Sequence, residues 1–127
     1  MKYLGIDYGL KKVGLAISEG QLAAPLKVLT VSGLNDALNQ VQQVIKREQI
    51  NIVIIGMPDS GDSKKIAVRF GEELDKVITV TLVDENLSTN DAKQALLELG
   101  GSRKSRHRKE DAVAATIILQ NYLNSLQ

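Results

Sequence analysis

The sequence contains no cysteine, a single histidine and no tryptophan among its 127 residues. A disulfide scaffold and a thiolate metal site are therefore excluded, and so are the usual ligand sets of zinc. Any metal ion bound by this chain must be held mainly by oxygen atoms. Three tyrosines and one phenylalanine offer little surface for stacking on bases, so we expect any nucleic acid to be recognised by its backbone and shape.

Long apolar runs are also absent. No segment approaches the length needed to span a membrane, and the first residues lack the pattern of a signal peptide. We therefore expect a cytoplasmic protein with no membrane partner. The length predicts one domain over residues 1–127, large enough to bury a single core.

The positive charge is unevenly distributed, although the formal net charge is only +1. Residues 103–127 hold five of the 16 Lys and Arg but two of the 15 Asp and Glu. All five cations lie in the run RKSRHRK at 103–109. Such a run can be a solvated, mobile loop or a surface that contacts a polyanion. Its position just before Asp111 favours the polyanion.

Apolar patterning predicts an α/β fold. The predicted strands cover 2–9, 11–18, 25–31, 50–56 and 79–85, and the predicted helices cover 33–48, 63–76, 88–99 and 110–123. The run INIVIIG is typical of a strand that is buried on both faces. A leading hairpin followed by alternating helices and strands predicts a mixed five-stranded sheet, with its first three strands antiparallel and helices on its faces.

Three carboxylates lie at positions that invite a functional explanation: Asp7 within the first strand, Glu85 at the end of the fifth, and Asp111 at the start of the last helix. If the fourth and fifth strands run parallel to the first and beside it, Asp7 and Glu85 converge at one end of the sheet. The last helix can then bring Asp111 over them. Converging carboxylates repel one another unless a cation lies among them. The pattern therefore predicts a site for Mg²⁺ (or Mn²⁺) that supports phosphodiester hydrolysis.

Each acid also has a purely structural explanation. Asp7 could begin a turn, Glu85 could be a solvated strand end, and Asp111 could favour a helix N-terminus through the helix dipole. Asp84 competes with Glu85, because neighbouring residues of a strand point to opposite faces and only one of the two can face the site.

Basic side chains near these acids are the candidate nucleic-acid contacts. His107 lies inside the basic run and is explained more simply by phosphate contact or solvation than by general-base catalysis. The predicted phosphate-binding residues are Lys11, Lys12, Arg103, Lys104, Arg106 and Arg108.

Four motifs, GIDYGLKKVGLAIS, IIGMP, VDENLST and EDAVAATIILQNYL, resemble in order and spacing the YqgF (RuvX) family of the ribonuclease H-like superfamily. The resemblance covers nearly the whole chain. It implies a ribonuclease H-like fold, a divalent-metal nuclease, and catalytic metal ligands at Asp7, Glu85 and Asp111. It further implies 5′-end maturation of pre-16S ribosomal RNA, with a Holliday junction resolvase-like DNA endonuclease as the alternative.

The chain departs from the family pattern in two places. Asn86 stands where the family usually has an arginine after the glutamate, and the loop after GMP lacks the fuller polar and glycine pattern. Neither departure removes a proposed metal ligand, so both concern the handling of substrate.

The sequence leaves two other functions open. IDYGLKK also resembles the first phosphate loop of actin-like ATPases, but those enzymes enclose a nucleotide between two lobes and this length supplies one. A nucleic-acid-binding module without turnover would keep the same fold. As partners we expect structured RNA, with branched DNA as the alternative, and a homodimer is left open.

Overall fold

The computed structural model describes residues 1–85 and 103–126, and for 103–111 it describes the backbone alone. The described elements follow in the order β1 (Tyr3–Tyr8), β2 (Lys12–Ser18), β3 (Ala24–Thr30), α1 (Leu34–Glu48), β4 (Ile52–Met57), α2 (Gly61–Asp75), β5 (Thr79–Asp84) and α3 (Arg103–Ser125). The helix predicted at 88–99 lies outside the described residues. None of the described helices is long and apolar enough to cross a membrane.

The strands form one mixed sheet in the order β3-β2-β1-β4-β5. The first three strands pair antiparallel, while β4 pairs parallel with β1 and β5 pairs parallel with β4. The predicted mixed sheet is therefore confirmed. Because β1, β4 and β5 run in the same direction, their carboxyl ends meet at one edge, which we call the carboxyl edge.

One face of the sheet packs against α1 and α2. Alternation along β1 directs Leu4 and Ile6 into this core, where both are fully buried with Phe70 of α2. Tyr8 continues the same alternation, and its ring stacks on Phe70 with centroids 4.3 Å apart. Burial raises the pKa of the Tyr8 hydroxyl. Tyr8 therefore packs against the core.

The other face packs closely against α3. A Cβ placed on Gly5 of β1 would lie 2.7 Å from Leu119 Cβ and 2.9 Å from the carbonyl oxygen of Ala115. A Cβ on Gly56 of β4 would collide with the side chain of Ile118. Glycine at these two positions therefore allows the helix to lie directly on the sheet.

The carboxyl-terminal half of α3 is hydrogen-bonded to the turn between β2 and β3. The Gln120 side chain accepts a hydrogen bond from the backbone N–H of Ala23 and donates one to the carbonyl oxygen of Gln21, both at 2.8 Å. These bonds orient α3 so that its amino-terminal part extends toward the carboxyl edge.

The last helix begins earlier than predicted. It extends from Arg103 and not from residue 110, so the basic run 103–109 has a helical backbone and the loop interpretation of it is wrong. Lysine and arginine are good helix formers, and the stretch after Gly101 contains no proline or glycine that would delay the helix. Asp111 consequently lies in the third turn. A dipole effect, which is confined to the first turn, does not explain an acid there.

Candidate active site

Asp7 lies at the carboxyl edge on the face covered by α3. It follows Ile6, which pairs with Ile55 of β4. Gly5 faces α3, so Asp7, two residues later, faces the same side. The side chain is half-buried in a strand that is otherwise apolar or aromatic. The carboxylate is therefore held where a substrate could meet it at the rim of the sheet.

The middle of this edge is formed by a glycine. Gly56 of β4 pairs with Val83 of β5, one residue beyond the row in which Ile55 pairs with Leu82. Two strand spacings separate the backbones of β1 and β5, or about 10 Å. β4 contributes no side chain at this level, and the side chain of Ile118 from α3 occupies the space above Gly56.

Glu85 directly follows β5 at the same edge. Val83 belongs to the apolar cluster beneath α3, so alternation places Glu85 on the α3 side and Asp84 on the opposite side. Glu85 is half-buried whereas Asp84 is exposed. Both Glu85 and Asp84 line a small cavity of about 70 Å³ together with Ile118 and Tyr122, so the cavity does not distinguish them. The greater burial of Glu85 favours it over Asp84 as the second acid.

The backbone position of Asp111 lies near the Asp7 end of β1. It is one helical turn before Ala115, whose carbonyl oxygen lies against Gly5, and it directly precedes Ala112, which shares a groove with Lys12. The helix residues beside Glu85 lie two to three turns further along α3, about 10–16 Å along the axis. The structure thus places backbone position 111 near the β1–β2 part of the carboxyl edge, and Glu85 at the β5 part of the same edge, beside a later part of the helix.

The candidate metal-binding groups at this edge, among the described side chains, are the carboxylates of Asp7 and Glu85. Among the side chains that the structure describes, no three Asp, Glu, His or Cys residues form a group that could hold a metal ion. The side chain of Asp111, the third predicted ligand, is not among them. The ligand set of Asp7, Glu85 and Asp111 therefore stays a prediction.

Two of the predicted phosphate contacts adjoin Asp7. Asp7 pairs with Gly14, and Lys12, two residues before Gly14, lies on the same face as a diagonal neighbour about 7–8 Å away between backbones. Lys11 is exposed in the turn, where its carbonyl oxygen accepts a 2.9 Å hydrogen bond from the N–H of Val31. The remaining predicted contacts belong to the first two turns of α3, where the structure describes the backbone alone. They are Arg103, Lys104, Arg106 and Arg108.

The glycines that position the site were missed by the sequence analysis. Gly5 and Gly56 set the distance between the sheet and α3, and so decide where position 111 lies relative to Asp7. A glycine inside a strand pattern is a known signal of close backbone approach, but the sequence does not say which element approaches.

Comparison with known proteins identifies the family to which the chain belongs. The model of the RuvX family, described as a Holliday junction resolvase, matches residues 1–125. A relative from Rickettsia canadensis (strain McKiel), named "Putative pre-16S rRNA nuclease", is 38% identical over 133 residues, covering 98% of this chain and 86% of the relative. A relative of the same name from Staphylococcus carnosus (strain TM300) is 37% identical over 138 residues, covering 99% of this chain and 97% of the relative.

Two solved structures share the fold at low sequence identity. The complex of Fowlpox virus resolvase with its substrate Holliday junction DNA superposes with a TM-score of 0.66 at 13% identity, covering 99% of each chain. RuvC from T. thermophilus in complex with a Holliday junction substrate superposes with a TM-score of 0.62 at 17% identity, covering 98% of this chain and 96% of RuvC. The chain therefore belongs to the RuvX (YqgF) family of nucleases and has the ribonuclease H-like fold of the resolvases.

Proposed function

We propose that this chain is a divalent-metal-dependent nuclease that hydrolyses phosphodiester bonds in structured RNA, acting in maturation of the 5′ end of pre-16S ribosomal RNA. The position of Asp7 is the observation that supports this most. Its carboxylate is half-buried at the carboxyl edge, between the buried Ile6 and the core-packed Tyr8 and on the face that α3 covers. Glu85 provides a second carboxylate at the same edge.

The donor set fits Mg²⁺ or Mn²⁺, since it consists of carboxylate oxygens in a chain without thiols. In this proposal Asp7, Glu85 and Asp111 would hold the ion. When bound, such an ion stabilises negative charge on a reacting phosphate and lowers the pKa of a water molecule. The close packing of α3 on Gly5 would fix the spacing between the acids of β1 and α3.

The cations near Asp7 would orient the substrate. Lys11 and Lys12 lie beside Asp7 and would hold phosphates next to the one that is cleaved. The basic run 103–109 would extend this contact along α3. Because phosphate contacts supply affinity without reading sequence, we expect binding to weaken steeply as salt is raised.

The names of the relatives support RNA as the substrate. Both curated relatives described above carry the name of a pre-16S rRNA nuclease. Branched DNA is the second candidate, because the family model is described as a Holliday junction resolvase and the two solved structures hold such junctions. A cytoplasmic location and a homodimer stay predictions.

Cleavage of two labelled substrates tests the proposal. The wild-type protein is incubated with a pre-16S rRNA fragment and with a four-way DNA junction, in Mg²⁺, in Mn²⁺ and in EDTA. We expect RNA to be cut with either ion and not in EDTA. Cleavage of the junction alone would assign the activity to branched DNA. Binding of both substrates without cleavage in either metal ion would favour the alternative, a nucleic-acid-binding module without catalytic activity.

A pair of variants separates Glu85 from Asp84. We expect Glu85→Gln to lose more than about 100-fold in cleavage rate, since disturbing even the partners of metal ligands costs about 10–100-fold. Asp84→Asn, at the exposed neighbouring position, should stay within about threefold of wild type. Single-turnover rates on the labelled RNA measure both. The reverse ranking would identify Asp84 as the acid that serves the site.

A further inference from the structure

A cleft opens at the carboxyl edge on the face of the sheet opposite to α3. It lies between the start of α1 and the first half of α2, beside the end of β1, and its volume is about 550 Å³. Cavities of this size hold small organic ligands. We call it the α1–α2 cleft, and its main contributors are Tyr8, Leu10, Leu34, Asp36, Ile66 and Arg69.

The α1–α2 cleft adjoins Asp7 across the rim of the sheet. α1 and α2 both begin at this edge, because each follows a strand that runs in the same direction as β1. Tyr8 directly follows Asp7 but lies on the opposite face, where its ring stacks on Phe70. Open α/β sheets bind ligands in crevices outside the carboxyl ends of their strands. A polynucleotide that passes Asp7 would therefore meet the cleft by crossing the turn at residues 9–11.

Much of the cleft wall is apolar. Leu10 is 65% exposed. One exposed leucine is common on a protein surface, but here it borders the same cleft as the half-buried side chains of Tyr8, Leu34 and Ile66. This surface fits the flat face of a nucleobase. Since a duplex keeps its bases stacked and paired inside, the nucleotide that presents such a face is an unpaired one.

The α2 side of the cleft carries a cation. Arg69 is exposed and lines the cleft, and within the part of the chain that the structure describes it forms no hydrogen bond or ion pair. A guanidinium binds phosphate through two parallel hydrogen bonds. The charged residues within one turn of it on α2 are Lys65 on the side of the carboxyl edge and the acids Glu72 and Glu73 further away, of which Glu73 is paired with Lys76. A phosphate at Arg69 would therefore lie toward the edge.

One carboxylate is found among the described residues of the lining, that of Asp36. Its Oδ2 atom accepts hydrogen bonds from the backbone N–H of Ser32 at 2.9 Å and from the side chain of Gln40 at 3.0 Å. Asp36 thus fixes the start of α1, where the helix dipole favours an acid. Asp62 has the corresponding place in the first turn of α2 and is not part of the lining. We therefore expect the phosphate on the α2 side of the cleft and not beside α1.

We propose that the α1–α2 cleft binds an unpaired nucleotide of the polynucleotide substrate, with its base against the apolar wall and its phosphate on Arg69. This inference rests on the proposed function and adds a feature of the substrate, namely an unpaired nucleotide that flanks the cleaved bond. It also adds a phosphate contact on the face of the sheet that α3 does not cover.

Binding of RNA hairpins with and without a single-stranded overhang tests the proposal. Fluorescence anisotropy is measured in EDTA, which prevents metal-dependent cleavage, on a blunt hairpin and on the same stem with a short 5′ or 3′ overhang. We expect the wild type to bind one of the overhang hairpins more tightly than the blunt one. Arg69→Gln should weaken that binding about three- to tenfold and reduce the slope of log K against log[salt] by about 0.7.

A second variant probes the apolar wall without changing a charge. Leu10→Ser should weaken binding of the overhang hairpin about three- to fivefold and leave the salt slope unchanged, because it removes apolar contact alone. Since Leu10 is already exposed, the fold should persist. The matched controls are Arg47→Gln, in the last turn of α1, and Leu22→Ser, 81% exposed in the turn between β2 and β3. Both lie at the opposite edge of the sheet and should match wild type.

Three outcomes would overturn the proposal. These are equal wild-type affinity for the blunt and overhang hairpins, wild-type binding of the overhang by both Arg69→Gln and Leu10→Ser, and an equal loss for the blunt hairpin in Arg69→Gln. Calorimetry with the four ribonucleoside monophosphates covers the other source of a nucleotide. Binding of one of them that depends on Arg69, with unchanged RNA binding, would assign the cleft to a free nucleotide.

The proposed function fails separately from this inference. A protein that binds the overhang through Arg69 but cuts neither RNA nor DNA keeps the cleft and loses the nuclease assignment. A protein that cuts RNA at the same rate in wild type, Arg69→Gln and Leu10→Ser, and binds both hairpins equally, keeps the nuclease assignment and loses the cleft.

Discussion

Asp7→Asn is expected to reduce RNA cleavage by more than about 100-fold, because it removes the charge of a proposed metal ligand and disturbing even the partners of such ligands costs about 10–100-fold. Asparagine has nearly the same shape as aspartate, so the packing of β1 between β2 and β4 should persist. Any increase in melting temperature that Mg²⁺ or Mn²⁺ gives the wild type should be reduced or lost in the variant.

The control for this experiment is another aspartate outside the site. Asp62 is exposed in the first turn of α2, and Asp62→Asn should keep wild-type cleavage. Asp7→Asn should also bind single-stranded RNA as well as wild type when both are measured in EDTA, because the lysines are unchanged. Cleavage by Asp7→Asn at the wild-type rate would show that the carboxylate of β1 is not part of the catalytic site.

Gly5→Ala is expected to destabilise the fold by about 1–3 kcal/mol, the cost of adding a methyl group where packing leaves no room. The new Cβ would lie 2.9 Å from the carbonyl oxygen of Ala115, and a helix backbone atom cannot move alone. α3 must therefore shift from β1. Misplacement of a catalytic group by about 1 Å can cost about 100-fold in rate, so cleavage should fall even where the protein remains folded.

A second glycine provides the matched control. No atom of the described part of the chain lies within 4 Å of a Cβ placed on Gly20, so Gly20→Ala should change stability by about 0.5 kcal/mol or less. Denaturant unfolding of both variants measures the difference, and single-turnover cleavage measures its effect on the site. Equal stability of the two variants would show that α3 does not lie against β1 as closely as the structure has it.

Much of the sheet could be predicted because its signals are local. The β-branched run of β4 and the alternation of β1 follow from which faces are buried, and both can be seen within a few residues. Asp7 was conspicuous for the same reason, as a charge inside an apolar strand. The parallel placement of β4 and β5 beside β1 entered as a condition, and the structure satisfies it.

Other features depend on partners that are distant in the chain. The start of α3 was misplaced because a run of charged residues has no apolar periodicity, although its residues favour helix. Likewise, the cavity beside Glu85 is lined by Ile118 and Tyr122, which no local pattern connects to β5.

The way α3 covers the sheet has a consequence for folding. β1, β2 and β3 form a meander from contiguous sequence and can pair early, whereas the hydrogen bonds of Gln120 join residues 97 and 99 positions apart. Closing so long a loop follows formation of the local strands. During synthesis the face beneath α3 therefore stays bare until the last part of the chain emerges. Docking of α3 then covers this face and carries position 111 to the carboxyl edge, so a chain without α3 lacks the third predicted ligand.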